Sequence, residues 1–277
     1  MRKLCENSFN KYSQFGEDGI IAKIFEIIGT SSRVCIEVGA WDGLHFSNTA
    51  SLWKEGWKAI LIEADETRFK ALLENTAGYD CHCIAAFVRP SGEDTIENLL
   101  RSRQLLGDTD FLSIDIDGDD YFVFQSLRDL KPRLVACEYN PTIPPHIELI
   151  PEQGNYFGCS PLSLVKLAQS KGYRLVALTD TNAFFVLSND FDKFLDYETS
   201  LDSLAIKKNI AYLMSGYAGD YLASREPAYG CSRPSNQCFI EGECFYFPVK
   251  PFEKFLGNMN PTLKRAAARI FARIIRI

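Results

Sequence analysis

Short apolar runs rich in β-branched residues alternate with segments of helical periodicity between residues 16 and 188. Parallel strands are joined through helices, and strands covered on both faces are apolar along their whole length. The alternation therefore predicts an α/β fold with helices on both faces of a sheet. The predicted strands cover 33–38, 58–63, 81–88, 110–116 and 133–138; the predicted helices cover 16–29, 45–56, 65–77, 92–105, 119–130 and a segment that opens at Ser160-Pro161 and stops at Gly172.

Two further predicted strands, 173–180 and 183–188, are joined by the short turn Thr181-Asn182, which favours an antiparallel hairpin. We expect a doubly wound, mostly parallel, seven-stranded Rossmann-like sheet that ends in this hairpin, followed by a C-terminal extension. After about residue 195 the alternation loosens, and glycine, proline and aromatic residues become frequent. The predicted domains are therefore 1–195 and a lid or extension over 196–277.

The charge and the apolar pattern argue against several classes of protein. A net charge of −6 gives no sign of nucleic-acid binding. No run of about 18 uncharged apolar residues predicts a transmembrane helix, and the first 14 residues lack the apolar core of a signal peptide. Nine scattered cysteines, an odd number, fit a reducing cytoplasm better than a disulfide framework. We expect a cytoplasmic protein.

A glycine-bearing turn follows the first predicted strand, and an acidic residue ends the second. In the turn, EVGAWDG at 37–43, Gly39 and Gly43 let the backbone bend tightly and approach a ligand. Glu63 stands where an acid commonly accepts hydrogen bonds from ribose hydroxyls. The G-x-G-x-x-G pattern of dinucleotide-binding folds is absent. The combination favours a nucleoside-bearing cofactor; the alternative is an ordinary strand–helix turn with a solvated Glu63.

Several separated motifs resemble the FkbM-type S-adenosylmethionine-dependent methyltransferases. These are EVGAWDG, HFSNTASLWKEGWKAILIEAD and IDIDGDDY, together with YSQFGEDGII, EYNPTIPP and TNAFFV, which are similar to one subgroup of the family. The resemblance covers roughly 12–190 and leaves the last 80 or so residues without a counterpart.

The resemblance implies a class I methyltransferase fold with the cofactor across the ends of the first two strands. It implies that Glu37, Gly39 and Gly43 line the methionine and ribose region and that Glu63 binds the ribose hydroxyls. Gln14 and Asn48 follow as polar groups near the cofactor. The implied acceptors are sugars, glycans or other small hydroxylated metabolites.

Acidic residues also follow the fourth and fifth predicted strands, in IDIDGDD at 114–120 and in EYN at 138–140. Carboxylates this close repel one another unless a cation, a basic substrate or raised pKa values relieve them. The arrangement is similar to the divalent-metal O-methyltransferases, which implies that Asp115, Glu138 and Asn140 hold Mg²⁺ or another divalent cation. The alternative is a metal-free site in which the acids cap the following helix.

A metal-free methyltransferase needs a general base, and His146 and Asp117 are the candidates. Asp115 is the third predicted catalytic residue, through the cation that it would hold. Histidine titrates near neutral pH, and His146 lies in a proline-rich loop after the fifth strand. For His146, a surface loop histidine without a catalytic role is the slightly favoured interpretation. His45, just past the glycine turn, is a weaker candidate, since packing at a helix start explains it.

Two features of the C-terminal part have more than one interpretation. Cys231, Cys238 and Cys244 form a loose cluster without zinc-knuckle spacing. The segment 262–277 carries five basic residues and no acid, and four of them, Arg265, Arg269, Arg273 and Arg276, lie on one stripe of a predicted amphipathic helix. A helix docked on its own domain or at a homodimer contact is favoured, and attachment to an anionic membrane surface is the alternative.

Three functions remain open from the sequence. The first is S-adenosylmethionine-dependent methyl transfer, most simply to a hydroxyl oxygen. The second is an NAD-dependent oxidoreductase, which the missing G-x-G-x-x-G pattern disfavours. The third is a non-catalytic binding protein that retains the fold, which the glycines and Glu63 disfavour.

Overall fold

The computed structural model describes residues 1–206, residue 210 and the backbone of four short strands between residues 213 and 247. The chain divides into two compact units, Met1–Ile206 and Lys207–Ile277. This division falls eleven residues beyond the boundary predicted at residue 195, at the end of a short helix.

The first unit contains a seven-stranded sheet in the order β3-β2-β1-β4-β5-β7-β6. Strands β1 to β5 pair in parallel, and β7 runs antiparallel to both of its neighbours, β5 and β6. The predicted mostly parallel sheet with a terminal antiparallel hairpin is confirmed. The strands are β1 Val34–Val38, β2 Lys58–Glu63, β3 Cys81–Ala85, β4 Phe111–Ile114, β5 Leu134–Glu138, β6 Tyr173–Leu178 and β7 Asn182–Leu187.

Helices cover both faces of this sheet. They are α1 Glu17–Ile28, α2 Ala50–Lys54, α3 Glu66–Asn75, α4 Ile96–Arg101, α5 Asp120–Ser126, α6 Pro161–Ser170 and α7 Leu201–Leu204, with 3-10 helices at Leu4–Asn7 and Ser188–Phe194. Alternate strand residues fall into two buried clusters, one packed against α1, α2 and α3 and the other against α4, α5, α6 and α7. The period of two along each strand produces these two layers.

The helix predicted over 45–56 was too long, because only Ala50–Lys54 is helical. Phe46 has a φ of +55°, which an α-helix does not tolerate. The main-chain N–H of Asn48 and the hydroxyls of Ser47 and Thr49 donate to the buried Glu37 carboxylate. These bonds hold 47–49 as a loop in competition with helix formation.

The second unit contains a four-stranded antiparallel sheet in the order β10-β11-β9-β8. Its strands are β8 Leu213–Ser215, β9 Tyr221–Ala223, β10 Cys238–Phe239 and β11 Phe245–Phe247. Cys231, Cys244 and 262–277 lie outside the described residues, and of Cys238 only the backbone is described. The zinc, membrane and homodimer interpretations therefore stay predictions. Within the described part of the chain, no helix is both long and apolar enough to cross a bilayer.

The segment before α1 is held at the carboxyl edge of the sheet by two acids of the first helical turn. Asp18 accepts hydrogen bonds from the N–H groups of 11–13, from the Ser13 hydroxyl and from Ser51 on α2. Glu17 accepts from Thr179 at the end of β6, at 2.7 Å. Burial opposes ionisation of Asp18, but these hydrogen bonds outweigh it and lower the pKa of the carboxyl below 3.8.

Replacing Asp18 by Asn should lower the free energy of unfolding at pH 7 by about 1.5–3 kcal/mol, since several hydrogen bonds to a charged group are lost. The folded pKa lies below the unfolded one, so the carboxylate stabilises the fold above pH 3.8. That contribution disappears as pH falls through the folded pKa. Urea unfolding at pH 7 and near pH 3 should therefore show a smaller difference between wild type and Asp18→Asn in acid. The exposed Asp202→Asn is the control, and an equal difference at both pH values would contradict the assignment.

Candidate functional site

Polar side chains replace apolar ones at the carboxyl ends of four strands and at the start of the antiparallel β7, all on the face covered by α1 and α2. Two positions before these polar residues, on the same face of each strand, lie core residues such as Leu61, Phe111 and Ala136. The order of strands reverses between β1 and β4, where ligands of open α/β sheets bind. We call this set of residues the carboxyl-edge row: Glu37, Glu63, Ser113, Asp115, Glu138 and Asn182.

The glycine turn after β1 runs against the main chain after β4. Gly39 has a φ of +84°, and a Cβ built there would overlap the carbonyl oxygen of Asp115. Gly43, at +82°, packs against Leu72 of α3. Both positions therefore favour glycine for conformation, and Gly39 requires it for space as well.

The N–H groups of this turn already have acceptors within the protein. Gly39 and Ala40 donate to the Ile62 carbonyl, and Gly43 donates to the Ala40 carbonyl. The Trp41 N–H donates to the Glu63 carboxylate at 2.8 Å. The N–H groups of residues 44 and 45, just after the turn, donate to the Asp42 side chain. The turn therefore presents few free donors to an anionic ligand.

Glu37 is buried beneath the turn and binds the loop 47–49. It accepts hydrogen bonds from that loop, and no cationic side chain among the described residues pairs with it. Burial raises the pKa of its carboxyl to about 7, against the lowering effect of the bonds from Ser47, Thr49 and Asn48. The structure thus gives Glu37 a positioning role in the loop beside the predicted cofactor region.

Glu63 connects the turn to the start of α3. One carboxylate oxygen accepts from the Trp41 N–H, and the other accepts from the N–H groups of Ala64 and Asp65, at 2.9 and 2.7 Å. Each carboxylate oxygen has two lone pairs, so further donors can still bind. The structure places Glu63 beside the glycine turn.

The two weaker cofactor candidates occupy different surroundings. Asn48 is buried and donates from its side chain to Ser113 of β4, at 3.0 Å. Gln14 is exposed on the segment that Asp18 and Glu17 fasten to the carboxyl edge. Asn48 therefore links the loop to the sheet, whereas Gln14 has its side chain available for a ligand.

An aromatic group on the glycine turn was not anticipated from the sequence. Trp41 and Phe46 are exposed and have positive φ values of 50° and 55°, rare for bulky residues. The Arg68 guanidinium lies 3.3 Å from the centre of the Trp41 ring, and His45 stacks on Phe46 with ring centres 3.9 Å apart. Strained conformations of this kind gather at ligand sites. The only sequence signal was aromatic residues within and beside a glycine turn.

Asp115, Asp117 and Glu138 form an acid cluster, in which one oxygen from each lies within 4.8 Å of the others. The Asp115 and Glu138 carboxyl groups are half-buried and are hydrogen-bonded to each other. Burial raises the pKa of Asp115 to about 8, and repulsion from Asp120 and Asp117 adds to the rise. Burial and Asp115 raise the pKa of Glu138 as well. A proton shared by this pair, or a bound cation, would relieve the repulsion.

The remaining predicted site residues lie outside this cluster. The Asn140 side-chain oxygen already accepts from the N–H and hydroxyl of Thr142, at 2.9 and 2.6 Å. His146 is exposed, and its side chain makes no hydrogen bond or ion pair with another described residue. The exposed Tyr156, which the sequence did not single out, is hydrogen-bonded to Asp117. The role of Asn140 as a cation ligand and that of His146 as a general base stay predictions.

Comparisons with known proteins find similarity only at the level of solved structures. No family model matches the chain, and no curated protein sequence gives a significant match. An S-adenosylmethionine-dependent methyltransferase from Aquifex aeolicus is 15% identical over 62% of this chain and 88% of its own, with a TM-score of 0.37. CalS10 from Micromonospora echinaspora, an amino pentose methyltransferase of calicheamicin biosynthesis solved with its cofactor bound, is 10% identical over 61% and 89%, with a TM-score of 0.40.

A pericyclic reaction enzyme is also similar, at 11% identity and a TM-score of 0.37 over 59% of this chain. The chain spans 46% of that protein's length. Several structural neighbours are thus S-adenosylmethionine-dependent methyltransferases, but values this low leave the reaction and the substrate of this chain open. Membership of the FkbM-type family stays a prediction.

Adding one methyl group at Gly39 should destabilise the protein more than the same change at Gly56. Both glycines have a φ of +84°, but nothing lies within 4 Å of a Cβ built at Gly56. Gly56→Ala should cost about 1–2 kcal/mol from backbone strain, and Gly39→Ala about 1–3 kcal/mol more, from the overlap with Asp115. Urea unfolding measures both, and equal losses would contradict the close approach at Gly39.

Proposed function

We propose that this chain is an S-adenosylmethionine-dependent methyltransferase that transfers the methyl group to a hydroxyl oxygen. One observation supports this proposal most strongly. Where the strand order reverses between β1 and β4, acidic groups lie beside a glycine turn whose N–H groups already donate to acceptors within the protein. The Glu63 carboxylate and the acid cluster border the site, while the N–H groups of the glycine turn donate within the protein. S-adenosylmethionine carries a sulfonium and an ammonium group, so its charge complements such a site.

The same observation disfavours a nicotinamide dinucleotide. Its pyrophosphate needs free N–H groups of a glycine turn and the N-terminus of a following helix. Here the amides of Gly39, Ala40 and Trp41 have protein acceptors, and the next helix, α2, is only five residues long. Acids beside the turn would also repel a diphosphate.

For the cofactor, Gly39 and Gly43 would form the floor of the methionine and ribose region, and Glu63 would accept bonds from the ribose hydroxyls. Glu37 and Asn48 would act by holding the loop 47–49 against β4, as their hydrogen bonds support. Gln14 would contact the ligand from the N-terminal segment. The Trp41 ring would border the same region.

For the acceptor, the Asp115–Glu138 pair would take the proton that the hydroxyl loses. The oxygen attacks the methyl carbon, the bond from that carbon to sulfur breaks, and S-adenosylhomocysteine leaves. The chain's main contribution is to hold the two reactants in line, since the sulfonium is already a good leaving group. Buried acids with raised pKa values are typical of sites of proton transfer.

The oxygens of the acid cluster also fit a divalent cation. Asp115, Asp117 and Glu138 offer only oxygen ligands, which Mg²⁺ and Ca²⁺ prefer, and their mutual repulsion would be relieved. A bound cation would lower the pKa of an acceptor hydroxyl. A non-catalytic binding protein is the second candidate, and it would retain cofactor binding without methyl transfer.

The acceptor we propose is a sugar, a glycan or a small hydroxylated metabolite. The resemblance to the FkbM-type family implies this class, and the exposed aromatic rings of Trp41 and Phe46 beside polar groups are compatible with it.

Replacing Glu63 by Ala should weaken binding of S-adenosylhomocysteine by at least about tenfold, because bonds to a charged group contribute about 1.5–3 kcal/mol. Calorimetric titration of the full chain measures it, starting from a dissociation constant in the micromolar range, about −8 kcal/mol. Glu66→Ala, an exposed acid on α3, is the matched control and should bind as wild type does. No binding by the wild-type protein would exclude the proposed cofactor.

Replacing Asp115 by Asn should lower kcat for methyl transfer about 10²–10⁴-fold, the usual contribution of a general base. The acceptor would come from a screen of sugars with isotopically labelled cofactor. Binding of S-adenosylhomocysteine should survive the change. Wild-type turnover in this variant would remove the acid cluster from the mechanism, and no turnover by wild type with any acceptor would favour the binding-protein candidate.

A further inference from the structure

The side-chain oxygen of Asn182 is buried without a hydrogen-bond donor. Asn182, the first residue of β7, is 4% exposed. Its amide nitrogen donates to the Thr181 hydroxyl at 3.3 Å, but its Oδ1 has no partner among the described residues. Leaving such an acceptor unsatisfied costs about 1–3 kcal/mol, so a native structure keeps one only for a reason.

Asn182 lies directly beside the acid cluster. It is the antiparallel partner of Glu138 in the pairing of β5 with β7. Partners of this kind project from the same face of a sheet, with Cβ atoms about 4.5–5.5 Å apart. Glu138 is in turn hydrogen-bonded to Asp115. The buried, unpartnered oxygen of Asn182 therefore lies next to the two half-buried carboxyl groups.

We propose that Asn182 supplies a neutral oxygen ligand to a divalent cation held by Asp115 and Glu138. A cation at this place satisfies two independent features, the repulsion between the carboxylates and the missing partner of the amide oxygen. Asp117, the exposed member of the cluster, completes the set on the solvent side. All four ligands are oxygens, the donor type that Mg²⁺, Mn²⁺ and Ca²⁺ select.

This assignment replaces the neutral ligand that the sequence indicated, Asn140. The Asn140 oxygen already accepts two hydrogen bonds from Thr142, and its amide nitrogen donates to the Phe157 carbonyl at 2.8 Å. It would have to give up bonds to reach a cation, whereas Asn182 has an oxygen to offer. The role of the cation in the reaction rests on the proposed function, whereas its binding by these residues does not.

The test is Mn²⁺ binding to the full chain, followed by the electron paramagnetic resonance signal of free Mn²⁺, without cofactor or acceptor. Asn182→Leu should weaken binding by at least about tenfold, a loss that even outer-shell partners of a metal produce. Asn140→Ala should leave binding unchanged. Asp115→Asn should abolish it, which locates the bound ion at the acid cluster.

Two further measurements separate a ligand from a structural residue. Asn182→Leu replaces an unsatisfied polar group by an apolar one of similar size, so its thermal midpoint should not fall. Asn182→Asp adds a charged ligand and should tighten Mn²⁺ binding, which a purely structural role does not predict. Unchanged binding in Asn182→Leu, looser binding in Asn182→Asp, or no Mn²⁺ bound by wild type would each overturn the inference.

These outcomes are distinguishable from failure of the proposed function. If Mn²⁺ binds and depends on Asn182 while S-adenosylhomocysteine does not bind, the cation site stands and the methyltransferase proposal falls. If the cofactor binds but Mn²⁺ does not, the converse holds, and a bound water molecule is then the partner of the Asn182 oxygen.

Discussion

The contact between Gly39 and the main chain of Asp115 is the constraint on which the rest of the site depends. A side chain on Gly39 would force β1 and β4 apart at the point where the strand order reverses. With glycine there, the two strands stay paired to their ends, and their connections then lead away in opposite directions. Ligands of open α/β sheets bind where such connections diverge, and here that point lies between the glycine turn and Asp115. Because the register pairs Glu37 with Ser113, the polar residues of both strands project from one face.

Much of this arrangement could be predicted from the sequence, because it follows from local patterns. Continuous apolar runs located the strands to within one to three residues at each end. The carboxyl ends of parallel strands meet at one edge, so the nearness of Asp115 and Glu138 followed from their positions in the chain. The helix predicted at 45–56 was too long at its start, because hydrogen bonds to Glu37 of β1 hold residues 47–49 as a loop. Glu37 draws the Asn48 N–H into a loop, and no local pattern carries that information.

The features that escaped prediction depend on pairings between distant segments. Asn182 lies beside Glu138 only because β7 inserts between β5 and β6. Whether the side-chain oxygen of Asn182 has a hydrogen-bond donor depends on the tertiary structure around it, which the sequence Thr181-Asn182 does not indicate. The stacking of Arg68 on Trp41 likewise joins two segments through the packing of α3 beside the glycine turn. Sequence patterns therefore located the elements of the site, whereas the pairing of those elements determined which atoms remain unsatisfied.

Buried acids elsewhere in the first unit show how unusual the acid cluster is. Glu97 accepts three hydrogen bonds from consecutive N–H groups at 128–130, at 2.7 to 2.8 Å. Asp110 accepts from the N–H groups of Ser31 and Arg33 and pairs with Arg133. Those carboxylates are satisfied by hydrogen-bond donors or by a cation, as buried structural acids usually are. The half-buried Asp115 and Glu138 instead face each other, so their closeness contributes little to folding and is better explained by a ligand.

The proposed reaction limits how negative this site can be. Methyl transfer converts a cationic sulfonium into a neutral thioether, so full negative charge nearby would stabilise the reactant more than the transition state and would slow the step. Three ionised carboxylates would have this effect. A shared proton or a divalent cation removes most of that charge and leaves one carboxylate oxygen to accept the hydroxyl proton. A neutral amide such as Asn182 suits the same requirement, because it adds an oxygen ligand without adding negative charge.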